Sequence, residues 1–179
     1  MCNRSNCGLC CCCFSKDTLI YVKENYNIYK KPISEVKNND LILSLKDGKK
    51  FFTKVKSVEK CKDEFEFYQF RLKKDGKIKS ITVTNNHIMI AFNIEKNEIK
   101  FKAAENIDKN SDYFYTLDGL YQIIEINIFK MKCKYDLEVE EKSIIADDIL
   151  VTCLNINKIS KNLLNDMIEK FKMSISLMN

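Results

Sequence analysis

An all-β fold is predicted for residues 13–153, and three observations predict it. Short apolar runs alternate with charged turns, Asp-Gly dipeptides sit where hairpins would reverse, and one stretch of the pattern occurs twice. The apolar runs come in order: Leu19-Ile20-Tyr21-Val22, Leu41-Ile42-Leu43-Ser44-Leu45, Phe67-Tyr68-Gln69-Phe70-Arg71-Leu72, Ile88-Met89-Ile90-Ala91-Phe92, Tyr121-Gln122-Ile123-Ile124-Glu125-Ile126 and Ile149-Leu150-Val151. They are rich in β-branched and aromatic residues, which suit a pleated, half-buried surface. Each is read as a short strand. Between them, Lys46-Asp47-Gly48, Lys74-Asp75-Gly76 and Leu117-Asp118-Gly119 supply tight-turn chemistry.

The repeat supports this reading further. Residues 40–48 echo residues 112–119, and Cys61 and Cys133 keep the same 72-residue offset as Asp40 and Asp112. Asn86-His87-Ile88 likewise lines up with Asp147-Asp148-Ile149. Two copies of one β-unit about a pseudo-twofold would set His87 and Asp148 at equivalent turns. After Cys153 the period changes. Ile159, Leu163, Leu164, Met167, Ile168 and Phe171 fall at helical spacing behind Ser160 as N-cap. The expected organisation is a flexible Cys-rich leader over 1–12, a β-domain over 13–153, and a short C-terminal helical tail over 154–179. The apolar face of that helix would dock on the β-domain, or else on a membrane or partner.

A chain of 179 residues with 45% hydrophobic and 31% charged residues has enough material for one buried core. The net charge of +5 is spread among mixed Lys and Glu, with no basic stripe interleaved by aromatics, so nucleic-acid binding is not expected. No long apolar core follows Met1, so no signal peptide is read, and no apolar run is long enough for a transmembrane helix. A cytoplasmic protein is expected.

Cysteine use is lopsided. Cys2, Cys7, Cys10, Cys11, Cys12 and Cys13 crowd the first thirteen residues, while Cys61, Cys133 and Cys153 are scattered. An odd number gathered at one end argues against an extracellular disulfide framework. Cys7-Gly8-Leu9-Cys10 has the spacing of zinc ligands but no second pair, so neither a metal nor any other cofactor is expected. Cys2, Cys7, Cys10, Cys11 and Cys12 also suit S-acylation, which would tether the leader to a membrane.

Three blocks carry chemistry: Cys13-Phe14-Ser15-Lys16-Asp17-Thr18 at the start, Thr84-Asn85-Asn86-His87 in the middle, and Tyr135-Asp136-Leu137-Glu138-Val139 with residues 144–153 at the end. A histidine near pKa 6.5 can exchange a proton at neutral pH, and a thiol becomes a strong nucleophile once deprotonated. Taken singly, each has a structural alternative: a buried small hydrophobe for Cys13, a strand residue for Thr84, a hydrogen-bonded turn residue for His87.

In this order the blocks resemble the Hint superfamily, which comprises inteins, bacterial intein-like domains and Hedgehog autoprocessing domains. The resemblance covers Cys13 to Cys153. It implies a flat, horseshoe-like all-β fold in which the first cysteine and the mid-chain histidine meet. Splicing inteins close with His-Asn and a following nucleophile, whereas this chain has Val151-Thr152-Cys153, closer to the Hedgehog-type ending that cleaves only on its N-terminal side. The resemblance therefore implies self-cleavage at Cys12–Cys13 without splicing. Cys13 would attack the Cys12 carbonyl to give a thioester, His87 would protonate the leaving nitrogen, and Thr84 would hold the scissile peptide. The substrate is then the chain's own N-terminal segment, and water, a thiol, an amine or an alcohol resolves the thioester. Asp63 lies where Hedgehog-type domains carry an acid that activates the incoming alcohol, with Glu64 and Glu66 beside it. Asp148 and Cys153 are auxiliary candidates, Cys153 as a resolving thiol or redox partner of Cys13. The competing expectation is a catalytically degenerate Hint scaffold, acting as a binding module tethered through its acylated leader.

Overall fold

Burial varies from strand to strand, alternating along β2 and parts of β5 and β10 and unbroken along β11 and β12. The computed structural model describes residues 13–46, 49–153 and 169. The Cys-rich leader, the Asp47-Gly48 turn and, apart from position 169, the expected tail helix lie outside them. Among the described residues, strands run β1 (Cys13–Phe14), β2 (Leu19–Glu24), β3 (Asn27–Pro32), β4 (Leu41–Lys46), β5 (Lys49–Lys74), β6 (Lys77–Thr84), β7 (Ile88–Asn93), β8 (Glu98–Ala103), β9 (Asp112–Thr116), β10 (Gly119–Val139), β11 (Ser143–Ala146) and β12 (Ile149–Thr152). All of them join one sheet, and two 3₁₀ turns, Ile33–Glu35 and Ala104–Asn106, lie beside it within residues 13–153. The fold is all-β.

The duplication extends to hydrogen-bond register. Hairpin β2–β3 pairs Leu19 with Pro32 through to Glu24 with Asn27, and β7–β8 pairs Ile88 with Ala103 through to Asn93 with Glu98. A 3₁₀ turn follows each hairpin, entered from Pro32 at φ −59°, ψ 145° and from Ala103 at φ −59°, ψ 146°. Strands β4 and β9 then pair back, Ile42 against Val22 and Phe114 against Ala91. In each copy the N–H opening the 3₁₀ turn donates to the residue just ahead of the first hairpin: Ile33 to the Thr18 carbonyl, Ala104 to the His87 carbonyl, both at 2.8 Å. Thr18 is thus the counterpart of His87 in the first copy. Asp148 precedes β12 as His87 precedes β7, but β12 opens no hairpin of its own. It folds back on β11 and inserts against β7 and β9, so the two turns have different surroundings.

Two strands are far longer than the apolar runs imply. β5 spans 26 residues and β10 spans 21, and they pair antiparallel from Val55–Val139 to Lys73–Gln122. No Gly or Pro interrupts residues 49–74 or 120–139, so nothing ends the strand where the apolar pattern fades. Register shifts bend and twist the long pair instead. One of them falls at Cys133, which takes φ 75° where β5 has one residue more than β10.

Turn chemistry matches the predicted hairpins in part. Asp75 and Gly76, at φ 48° and 77°, form the two-residue loop joining β5 to β6. In the next hairpin the loop is Leu117-Asp118, and Gly119 instead pairs with Thr116 at φ 101°. A Cβ built there would stand 2.8 Å from Lys74 Nζ. The β11–β12 loop, Asp147-Asp148, turns with φ 50° and 66° and no glycine, a conformation Asp tolerates better than most residues.

The main core gathers Phe14, Ile20, Phe70, Phe114, Tyr121, Ile144 and their neighbours. A second cluster on the opposite side of the sheet joins Leu43, Leu45, Ile90, Tyr115 and Leu150. Strands β11 and β12 are buried along their whole length, sealed on both faces by these two clusters.

Candidate functional site

Cys13 is held on both sides by strands from distant parts of the chain. Within β1, Cys13 pairs with Asp136 of β10, and Phe14 pairs with Tyr135 on one side and Val83 of β6 on the other. Carrying that second register on by one residue sets Cys13 level with Thr84. The geometry agrees, because the Thr84 hydroxyl oxygen lies 3.5 Å from the Cys13 carbonyl oxygen and the Ser15 N–H reaches the Thr82 carbonyl at 3.3 Å. Cys13, Thr84 and His87 are all inaccessible to solvent or nearly so.

His87 enters through a tight turn, its N–H donating to the Thr84 carbonyl at 3.0 Å. Its ring meets Phe14 edge-on, centroids 4.7 Å apart. Neither ring nitrogen makes a hydrogen bond of good geometry. Complete burial pulls its pKa down to about 3, with the Cys13 backbone alone pulling the other way. His87 is therefore neutral at pH 7, and it faces the backbone of the cysteine. The three residues picked out from the sequence converge. One detail differs from expectation: Thr84 addresses the Cys13 carbonyl, whereas the scissile peptide would lie on the other side of that residue, toward Cys12, which is outside the described residues.

Asp136 enters this group without having been assigned a role. It lies between Cys13 on one side and Glu59 of β5 on the other. The only advance signal was its place in Tyr135-Asp136-Leu137. The closing strand also reaches the site: the buried Thr152 hydroxyl donates to the carbonyl of Ile88, next to His87, at 2.5 Å. Cys153 follows, its N–H bonded to the Lys142 carbonyl at 2.8 Å and its side chain packed against the main core. Cys13, Cys61, Cys133 and Cys153 are all thiols.

The other auxiliary candidates lie elsewhere. Asp63 is exposed on β5, four residues beyond Glu59 and so roughly 13 Å along the strand from the level of Cys13. The Asp148 carboxylate is taken up by Tyr21 Oη at 2.6 Å, Lys30 Nζ at 2.7 Å and Lys79 Nζ at 3.4 Å. Burial opposes its charge, but Lys30 and Tyr21 outweigh it and hold the carboxyl below its ordinary pKa. Its neighbour Asp147 behaves oppositely. Its carboxylate accepts the Leu19 N–H at 2.9 Å, and burial raises its pKa to about 6. Among the described residues no group of three or more His, Cys, Asp or Glu side chains gathers as a metal site, and no helix is long and apolar enough to cross a membrane.

No protein-family model matches the chain, and no curated protein does. Solved structures do. The gp41-1 intein matches at TM-score 0.61 and 20% identity, covering 78% of this chain and 98% of that one. An intein from a hyperthermophile matches at TM-score 0.67 and 15% identity, covering 78% and 98%. The DnaB intein from Synechocystis sp. matches at TM-score 0.61 and 18% identity, covering 78% and 96%. Identities this low speak for the backbone arrangement alone. The chain has the Hint fold of the inteins.

Proposed function

We propose that this chain is a self-processing domain that cleaves its own Cys12–Cys13 peptide without splicing, closer in mode to Hedgehog-type processing than to an intein. The observation that carries the reading is the sealed group of Cys13, Thr84 and His87, in which Cys13 meets a turn that begins 71 positions further along the chain. Cys13 Sγ attacks the Cys12 carbonyl carbon, the C–N bond breaks, the thiol loses its proton and the Cys13 nitrogen gains one. The acyl group of residues 1–12 is then a thioester on Cys13. Neutral His87 suits this step as a concerted relay, one ring nitrogen giving its hydrogen to the leaving nitrogen as the other takes the thiol proton, so that no imidazolium forms. Water or an external thiol, amine or alcohol then releases residues 1–12. The chain ends its β-domain on Thr152-Cys153 and has no asparagine there to cyclise, so the C-terminal junction stays intact.

Intact-mass spectrometry of the purified chain tests this. A small thiol should accelerate loss of residues 1–12, because thiolates attack thioesters far more readily than amides. Cys13→Ala should abolish it, and His87→Ala should slow it by roughly 10²–10⁴-fold. Cleavage that survives Cys13→Ala would sink the reading.

One observation favours the second reading, a degenerate scaffold tethered by an S-acylated leader. His87 packs against Phe14 as an aromatic, with both nitrogens unpaired. That reading expects an intact chain under thiol, and membrane association in cells that is lost when Cys2, Cys7, Cys10, Cys11 and Cys12 are replaced.

A further inference from the structure

The turn that carries Thr84 and His87 contains two asparagines, Asn85 and Asn86, to which neither reading gives work, and one of them meets the Thr84 hydroxyl. Asn86 is half-buried at the rim of the site, and its Oδ1 lies 3.0 Å from the Thr84 hydroxyl. The same hydroxyl reaches the Cys13 carbonyl at 3.5 Å. A hydroxyl has one hydrogen to give, and 3.5 Å is beyond the range of a good O–H···O bond, so the shorter contact takes it. The main chain around it is pinned. His87 N–H bonds the Thr84 carbonyl at 3.0 Å, Asn85 N–H bonds the Glu66 carbonyl at 3.2 Å, and Glu105 N–H bonds the Asn85 carbonyl at 2.9 Å. With the backbone held, the place of the Thr84 oxygen is set by the side chain's χ1 torsion, and the contact with Asn86 fixes that torsion.

We propose that Asn86 is a positioning residue for the reaction at Cys13, locking the Thr84 hydroxyl in the one orientation that sets its oxygen against the cysteine's main chain. This rests on the self-cleavage reading and deepens it. Asn86 touches no reacting atom. It acts through Thr84, by removing a rotational freedom that would otherwise be lost on the way to the transition state.

The test times thiol-triggered loss of residues 1–12 from the full chain. Asn86→Ala should cleave about three- to tenfold more slowly, the effect of one hydrogen bond. Its thermal midpoint should stay within a degree or two, since the residue lies at the rim. Asn86→Asp, which keeps an acceptor oxygen in place, should recover most of the rate. In a Thr84→Val background Asn86→Ala should change nothing further. Should Thr84→Val be too slow to time, Thr84→Ser replaces it; the less hindered serine hydroxyl should make Asn86→Ala cost at least as much as in the native chain. A native chain that never cleaves sinks the self-cleavage reading, and this role with it. A native chain that cleaves, with Asn86→Ala at the native rate or equally slowed with and without the Thr84 hydroxyl, overturns the role of Asn86 alone.

Discussion

Replacing Asp147 by Asn should make the protein sensitive to mild acid in a way the native chain is not. Two buried groups titrate in opposite senses. His87 has a folded pKa of about 3 against about 6.5 unfolded, so below pH 6.5 the unfolded chain binds the proton that the folded chain refuses. Its stabilisation is complete above pH 6.5 and is lost as pH falls toward 3. Between pH 7 and 4 this removes about 3 kcal/mol, at roughly 1.4 kcal/mol per pH unit. Asp147 has a folded pKa of about 6, raised from 3.8, so the folded chain takes up its proton first. Its contribution is present below 3.8 and lost as pH rises through 6. Over the same descent it returns about 2 kcal/mol, after allowing for its partial exposure. The depressed carboxyls, Asp108, Asp118, Glu125 and Asp148, act mainly below about pH 4. The native chain should therefore lose only about 1 kcal/mol from pH 7 to 4. Asp147→Asn keeps an oxygen for the Leu19 N–H but does not titrate, and should lose about 3 kcal/mol. Urea unfolding followed by circular dichroism at pH 7, 6, 5 and 4 would measure both slopes. Superimposable profiles for the two proteins would refute the opposition, and a slope in Asp147→Asn that survives His87→Phe would show that His87 is not its source.

Because His87 is neutral throughout the range, the rate of self-cleavage should show no inflection near pH 6.5; a pH–rate profile by mass spectrometry that breaks there would refute the depressed pKa. Gly119→Ala should destabilise the fold by about 1–2 kcal/mol in thermal or urea unfolding, through its positive φ and the approach to Lys74 Nζ. Lys74→Ala should relieve the clash but not the backbone strain, so Gly119→Ala in that background should still be less stable than Lys74→Ala alone. Tyr121→Phe should be neutral or stabilising by up to about 1 kcal/mol, because the Tyr121 hydroxyl is buried with no partner; a loss above 1 kcal/mol would mean the hydroxyl is bonded after all.

Much of this was readable in advance, for identifiable reasons. Hairpins declare themselves locally, so the Asp75-Gly76 turn and the apolar runs of β2, β4 and β7 were plain. The 72-residue echo is a property of the string alone, and it extends to matched 3₁₀ turns. Cys13, Thr84 and His87 were legible by type and order. What escaped depends on pairing across long separations. The length of β5 and β10 is set by their partnership, since charged residues such as Glu64 and Lys132 have no strand pattern until they face one another. Asp136 matters through the residue opposite it. His87 looked like a proton donor near neutrality, and only its burial against Phe14 shows that it is held uncharged. Asp147 and Asp148 are neighbours of one type with opposite shifts, because Lys30 and Tyr21 reach one carboxylate and burial governs the other.

The pairing of β1 also governs when the site can exist. Phe14 needs Val83 on one flank and Tyr135 on the other, and Cys13 needs Asp136. A chain emerging from the ribosome makes its first strand early, but Val83 follows Phe14 by 69 residues and Tyr135 follows it by 121, so the strand is flanked on both sides only late in synthesis. Cys13 is thus the first part of the domain to be synthesised and among the last to be enclosed. A nascent or truncated chain ending before Tyr135 lacks one wall around Cys13 altogether. Any chemistry at Cys13 would thereby be timed by completion of the fold.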